Sequence, residues 1–362
     1  MVPPKDFIDL PSPEELTLDI TPASRFQLIN INEEVTARAE HFEAFRKTLY
    51  YSYHTTAGYL EQSLSSRLQS EESVAGFVRT FRKLFPPEAD YRHDQLELRN
   101  ELTDEQKLVE PKNADSHLTY IGCGLESCVT YRNQPDRPVY LVELDGVNGS
   151  ESRKRKTTVV GYNHESIADQ KVIQIPMSNH ELDSINLRNE RYGFFQELNE
   201  TIRRLGIEKG RVDIALGSAE KNAGLTVNEY ETLLMTHDLM EVLHNPMRFM
   251  ARKGYNMLRH PKAIPNKAKN YAKYDLVQVA NEFIDATGLS ESVVERIINK
   301  FIAYPAQRFL RMKRGISLLV SDADSSGQGE IVHGTYQSPI LVQWRKAEPQ
   351  HRTVNVTFVR FE

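Results

Sequence analysis

The residues whose types and spacing could do chemistry lie between positions 118 and 146, LTYIGCGLESCVTYRNQPDRPVYLVELDG. Gly122 and Gly124 let a chain turn sharply and let a ligand lie against bare backbone. Glu143 follows Gly124 by 19 residues, and a carboxylate at that distance, ending the next strand, accepts both hydroxyls of an adenosine ribose. Asp145 is the alternate acid. The third glycine of a dinucleotide fingerprint is replaced by Ser127, which argues against a pyrophosphate on a helix N-terminus and so against NAD.

These residues need elements to place them. Residues 117–121 read as a short β-type run ending in the Gly-Cys-Gly turn, and 138–144 (PVYLVEL) as a strand covered on both faces. Residues 157–160, 171–175 and 211–216 are further strand candidates. Residues 189–205 and 227–243 read as helices. Strands alternating with helices predict a parallel sheet of βαβ units. Upstream, residues 33–67 carry Phe42, Phe45, Leu49 and Tyr53 at three- and four-residue steps, which predicts a helix. Residues 72–85 predict a second helix, stopped by Pro86-Pro87, and the charged residues 88–115 a solvated connection. Downstream, 316–320, 340–344 and 354–361 read as strands, the last two as a closing antiparallel hairpin. The expected organisation is a helical region over 1–112 and an α/β domain over 113–362 with a basic helical insertion at about 245–312.

The central segment resembles motif I and the acidic strand of class I S-adenosylmethionine-dependent methyltransferases. The match is IGCG at 121–124 and VELD at 142–145, and leucine carboxyl methyltransferases show a similar pairing. The resemblance implies a Rossmann-like methyltransferase sheet, S-adenosylmethionine as cofactor, and Gly122, Gly124, Glu143 and Asp145 as its binding residues. Such a site mainly positions the acceptor, because the sulfonium is already activated. The fourth-strand candidate RVDIALGSAE offers Gly217-Ser218 where many relatives carry a substrate-binding Asp or Asn, so the acceptor stays open.

RNA is the favoured acceptor because of charge. The net charge is −5, yet residues 1–117 hold 21 acids against 13 Lys or Arg, so the remainder is basic. Between Glu241 and Asp275 there is no acid. The interval carries Arg248, Arg252, Lys253, Arg259, Lys262, Lys267, Lys269 and Lys273, interleaved with Phe249, Tyr255, Tyr271 and Tyr274. Cations for phosphates and rings for stacking are the ingredients of a nucleic-acid surface. Lys253 is the weak catalytic candidate, a lysine able to activate a ribose hydroxyl, without an evident Asp partner. Two rivals remain: a non-enzymatic nucleic-acid-binding protein with a Rossmann-like core, and a methyltransferase acting on a small molecule or carboxylate. Residues 279–300 read as a plain αα-hairpin rather than a DNA reader, since Glu291 and Glu295 would face phosphates.

No metal is expected. The stretch from Asp322 imitates the start of a calcium loop but has His333 where a Glu belongs. His237-Asp238 with His244 lacks further ligands, and His54 among Tyr50, Tyr51 and Tyr53 reads as packed. Two cysteines, Cys123 and Cys128, argue for a reducing compartment, and nothing resembles a secretory signal or a membrane span, so a cytoplasmic location is expected.

Overall fold

The computed structural model describes residues 12–134, 137–244, 249, 312–322 and 327–362. Every strand ladder among the described residues is antiparallel. This overturns the expected Rossmann-like parallel sheet.

The first sheet has the order β1-β9-β3-β5. Its strands are β1 (Glu14–Ile20), β9 (Arg155–Tyr162), β3 (Lys47–Ser52) and β5 (Cys128–Arg132). A second sheet runs β10 (Glu165–Pro176), β17 (His351–Phe361), β12 (Gly210–Leu216), β14 (Gly315–Ser321) and β15 (Glu330–Ile331). A third joins β11 (Asp183–Asn186), β16 (Gln337–Gln343) and β13 (Ala223–Glu229). A fourth joins β2 (Gln27–Asn30), β6 (Tyr140–Glu143) and β4 (Ala57–Gly58), and β7 (Val147–Asn148) pairs with β8 (Glu151–Ser152).

The expected closing hairpin does not form. β16 pairs with β11 and β13, whereas β17 lies between β10 and β12. Alternation along HRTVNVTFVRF explains the second placement. Val354, Val356 and Phe358 face a core completed by Phe194, Leu198 and Ile202 of α6 (Phe194–Leu205), while Val359 and Phe361 turn to Leu49, Tyr51 and Tyr162 of the first sheet. Tyr162 and Phe361 stack with ring centroids 3.9 Å apart.

Four helices besides α6 position the site: α1 (Ile31–Thr36), α2 (Gln62–Leu68), α3 (Glu71–Leu84) and α5 (Ala114–Cys123). A short α4 (Asp104–Val109) lies on the surface, opened by a Thr103–Gln106 capping box. The helix predicted over 33–67 is instead α1, a 3-10 turn at Glu40–Ala44 and strand β3. Leu49 and Tyr51 face one core and Tyr50 the other, a period of two that outweighs the helical spacing from Phe42. Helix α3 matches its prediction, with Ser70 accepting from the Ser73 amide as N-cap.

The decisive reversal is α5. The expected strand before the glycine turn is a helix with all ten residues buried. Gly122 lies inside it because a Cβ there would sit 2.8 Å from Phe81 and 2.9 Å from Phe85. Gly124 ends it in the left-handed conformation, φ 66°. Strand β6 is covered on both faces as predicted. Val142 joins the core of α3 and α5, and Leu141 joins that of the first sheet, so the cover comes from two unlike layers rather than from flanking crossover helices. Residues 227–243 begin in β13, not in a helix.

Candidate functional site

The N-terminal end of α5 collects a cluster of buried charged groups. Two imidazoles lie at its centre: His93, from the loop after α3, and His117, in the second turn of α5, each 0% exposed. Their rings meet edge-on at 5.2 Å between centroids and 80° between planes. Each has its own acid from the end of β13. His93 Nδ1 lies 3.3 Å from Glu231, and His117 Nε2 lies 3.4 Å from Glu229 without hydrogen-bond geometry. His117 Nδ1 contacts Asn228 Oδ1 at 2.7 Å.

From His93 a chain of contacts leads outward. Its Nε2 lies 3.1 Å from Asn113 Oδ1, Asn113 Nδ2 donates to Asp145 at 2.8 Å, and Arg153 pairs with Asp145 at 3.2 Å. Beside it Arg25 pairs with Asp115 at 2.8 Å. The Asp94 carboxylate accepts from the Ala114 amide at 3.0 Å, in the first turn of α5, where the unpaired amides and helix dipole favour negative charge. Asp115, Asp145 and both histidines are almost wholly buried, whereas the side chains of Arg25 and Arg153 are 34% and 28% exposed. Solvent therefore meets the cluster at these two guanidinium groups and at Glu229, whose side chain is 18% exposed. Among its buried atoms, Arg25 Nε and His117 Nε2 take no hydrogen bond.

The electrostatics follow from this crowding. Burial pushes the Asp115 carboxyl up to about 6, with Arg25 opposing and Asp94 and Asp145 adding to it. Burial likewise raises Asp94. Burial disfavours charge on His93, but the Glu231 hydrogen bond and the charges of Glu229 and Asp94 outweigh it, and its pKa lies above the ordinary imidazole value. Burial also opposes charge on Glu229, yet His117, His93 and Arg99 bring it down to about 2. Arg99 is itself buried and salt-bridged to Glu101, Glu110 and Glu229 at 2.6, 2.9 and 3.4 Å. A carboxyl held up to about 6 and an imidazole raised above its ordinary value, in one buried cluster, are equipped for proton transfer.

The residues expected to hold a cofactor are split by this architecture. Glu143 and Asp145 lie at the N-terminal end of α5, where Ser116 Oγ donates to the Leu144 carbonyl at 3.0 Å. Gly122 and Gly124 lie at its other end, about 13 Å away at 1.5 Å per residue. Glu143 is 0% exposed, and both its oxygens are taken by Arg155, at 2.5 and 2.9 Å, and by the Asp145 amide at 2.7 Å. Arg155 also donates to Thr56 Oγ1 and the Asp145 carbonyl. Of the four residues, Asp145 alone joins the histidine cluster. His54 packs against Arg155, and burial with that charge brings its pKa down to about 3.

Lys253 and the basic residues Arg252, Arg259, Lys262, Lys267, Lys269 and Lys273 lie outside the described residues, as does the 279–300 helix pair. No group of three metal-ligating side chains occurs among the described residues. His237 and Asp238 do not make a ligand set: Asp238 accepts from the amides of Arg92 and His93. No helix among the described residues is long and apolar enough to cross a membrane.

Sequence reading missed His93, His117, Asp94, Asn113, Asp115, Glu229 and Glu231. A usable signal was present: Asn113, Asp115 and His117 fall at alternate positions entering an otherwise apolar stretch. Polar residues there mark either a solvated face or a buried polar site, and periodicity alone does not separate the two.

No family model matches the chain, and no curated protein matches it. Among solved structures it is similar to a YbjQ-like protein of unknown function from Sulfolobus solfataricus P2, 14% identical over 54% of this chain and 99% of that one, TM-score 0.28. A hypothetical protein from Aeropyrum pernix K1 is 17% identical over 52% and 97%, TM-score 0.27. An uncharacterized conserved protein of the YjbQ family from Clostridium acetobutylicum is 13% identical over 52% and 98%, TM-score 0.26. None of these descriptions states an activity.

Proposed function

We propose that the chain is an acid–base enzyme acting on a small polar molecule at the Arg25–Arg153 opening. The observation carrying this reading is the burial of two imidazoles among five carboxylates, Asp94, Asp115, Asp145, Glu229 and Glu231, with the part-exposed cations Arg25 and Arg153 at the edge of the cluster. Charge buried at this density costs stability, and strongly shifted buried groups of this kind cluster at functional sites. Asp115 is the proton carrier nearest the opening. His93, held by Glu231, supplies a positive charge behind it. Arg25 and Arg153 orient acceptor atoms of the substrate through their part-exposed guanidinium groups.

The test is proton exchange. A panel of amino acids, hydroxy acids and keto acids is incubated with the protein in D2O and followed by proton NMR. Loss of a substrate C–H signal with wild type, abolished in Asp115→Asn and His93→Gln, supports the reading. S-adenosylhomocysteine is included in a parallel calorimetric titration. Its binding, together with no exchange in any compound, overturns the acid–base reading in favour of methyl transfer.

A further inference from the structure

A cavity of about 610 Å³ lies beyond the opposite end of β6 from Asp145, within the range of roughly 300–1,000 Å³ that holds small ligands. Five residues separate Tyr140, in its wall, from Asp145, a span of roughly 16 Å along a strand. The cavity is distinct from the histidine cluster.

Its walls are α1 and the 3-10 turn on one side and Asn133, Gln134, Arg137 and Pro138 on the other. Val35, Phe42, Tyr50 and Tyr140 form the floor. The opening is propped by side-chain amides. Asn32 accepts from Tyr50 Oη at 2.7 Å and donates to the Arg137 carbonyl at 3.0 Å. Asn133 donates to the carbonyls of Phe42 and Phe45 at 3.2 and 2.8 Å and accepts from Thr48 Oγ1 at 2.6 Å. A cavity held open by such bonds needs no ordering when a ligand enters.

Two carboxylates on the rim are already aimed. Glu33 is fixed through one oxygen by Asn30 Nδ2 at 2.7 Å, and Glu43 through one oxygen by Thr36 Oγ1 at 3.0 Å. The second oxygen of each takes no hydrogen bond among the described residues. Gln134 and Arg137 line the other wall, the Arg137 guanidinium donating through Nη1 to the Ser66 carbonyl at 3.3 Å. Two carboxylates against one guanidinium disfavour a phosphate. Paired acceptors, an amide and a cationic donor above aromatic rings suit vicinal hydroxyls with a C–H face beneath.

We propose that this cavity binds a neutral sugar, free or as the ribose of a nucleoside, with Glu33 and Glu43 accepting from its hydroxyls and Tyr140 packing on its ring. The test is saturation-transfer difference NMR with D-glucose, D-ribose and adenosine, each at tens of millimolar or its solubility limit. Transfer to the sugar protons of at least one probe is expected. Its affinity falls about tenfold in the paired variant Glu33→Gln, Glu43→Gln, the loss of hydrogen bonds to charged groups, and about threefold in Gln134→Ala, the loss of one neutral bond. Both changes are on exposed residues and leave the fold in place. Transfer is unchanged in Asp115→Asn, which separates this site from the proposed catalytic one. No transfer with any probe, or equal transfer in wild type and both rim variants, overturns the proposal.

Discussion

Asp115 and His93 do not touch, yet each shifts because of what surrounds it at the head of α5: the acid upward to about 6, the imidazole above its ordinary value. Both shifts favour the protonated form of a buried group, and both have consequences for stability that can be measured.

The folded state holds the Asp115 proton more tightly than the unfolded chain, where the carboxyl has a value of about 3.9. Its ionisation therefore opposes folding, with no effect below about 3.9 and a growing loss of stability as pH rises toward 6. Asp115→Asn is expected to match wild type near pH 4 and to exceed it at pH 8 by roughly 3 kcal/mol. Urea unfolding at the two pH values checks this. Equal stability at both would remove Asp115 from the proton inventory.

His93 has the opposite sign. A raised imidazole value stabilises the fold below the unfolded value of about 6.5, and that contribution is lost as pH rises through the folded value. His93→Gln should therefore lose most against wild type in acid, and the gap should narrow in alkali. Imidazole nitrogen NMR reads the titration directly, and a His93 value below that of an exposed histidine would contradict the assignment.

The Arg155–Glu143 pair is fully buried and bidentate. Removing one partner strands the other charge, which typically loses about 3–5 kcal/mol. Glu143→Ala should unfold at much lower urea than wild type, as followed by circular dichroism, rather than give a folded protein with a selective binding defect. A folded, equally stable Glu143→Ala protein would refute this.

Gly122→Ala places a methyl group against Phe81 and Phe85, both in the packed core of α3 and α5. The gain in helix propensity is smaller than the strain of overpacking, and a net loss of about 1–3 kcal/mol is expected in thermal unfolding. A gain would mean that the rings move aside freely.

Single elements were legible where one period ruled a segment. Residues 72–85 have a clean helical stripe with Ser70 before it and Pro86-Pro87 after, and α3 matches it. RVDIAL and PVYLVEL are strands, as their branched and aromatic residues require. Topology was not legible, because strand direction depends on partners far along the chain: β17 pairs with residues 165–176 and 210–216. The glycine pair misled for a physical reason. Gly122 and Gly124 serve a helix, one as a slot for two phenyl rings and one as a left-handed cap, and glycine itself carries no mark of which service it performs. Of the site, Asp145 was foreseen as a carboxylate of interest. His93 was hidden inside a charged segment that the composition makes look solvated.

The position of β17 sets an order of assembly. It is the interior strand between β10 and β12 and touches two cores at once, yet it follows both of them along the chain. During synthesis, 165–176 and 210–216 must wait with unsatisfied edges until residues 351–361 leave the ribosome. The second sheet thus closes only once residues 351–361 are available, and a chain stalled before residue 351 presents two open strand edges to whatever it meets first.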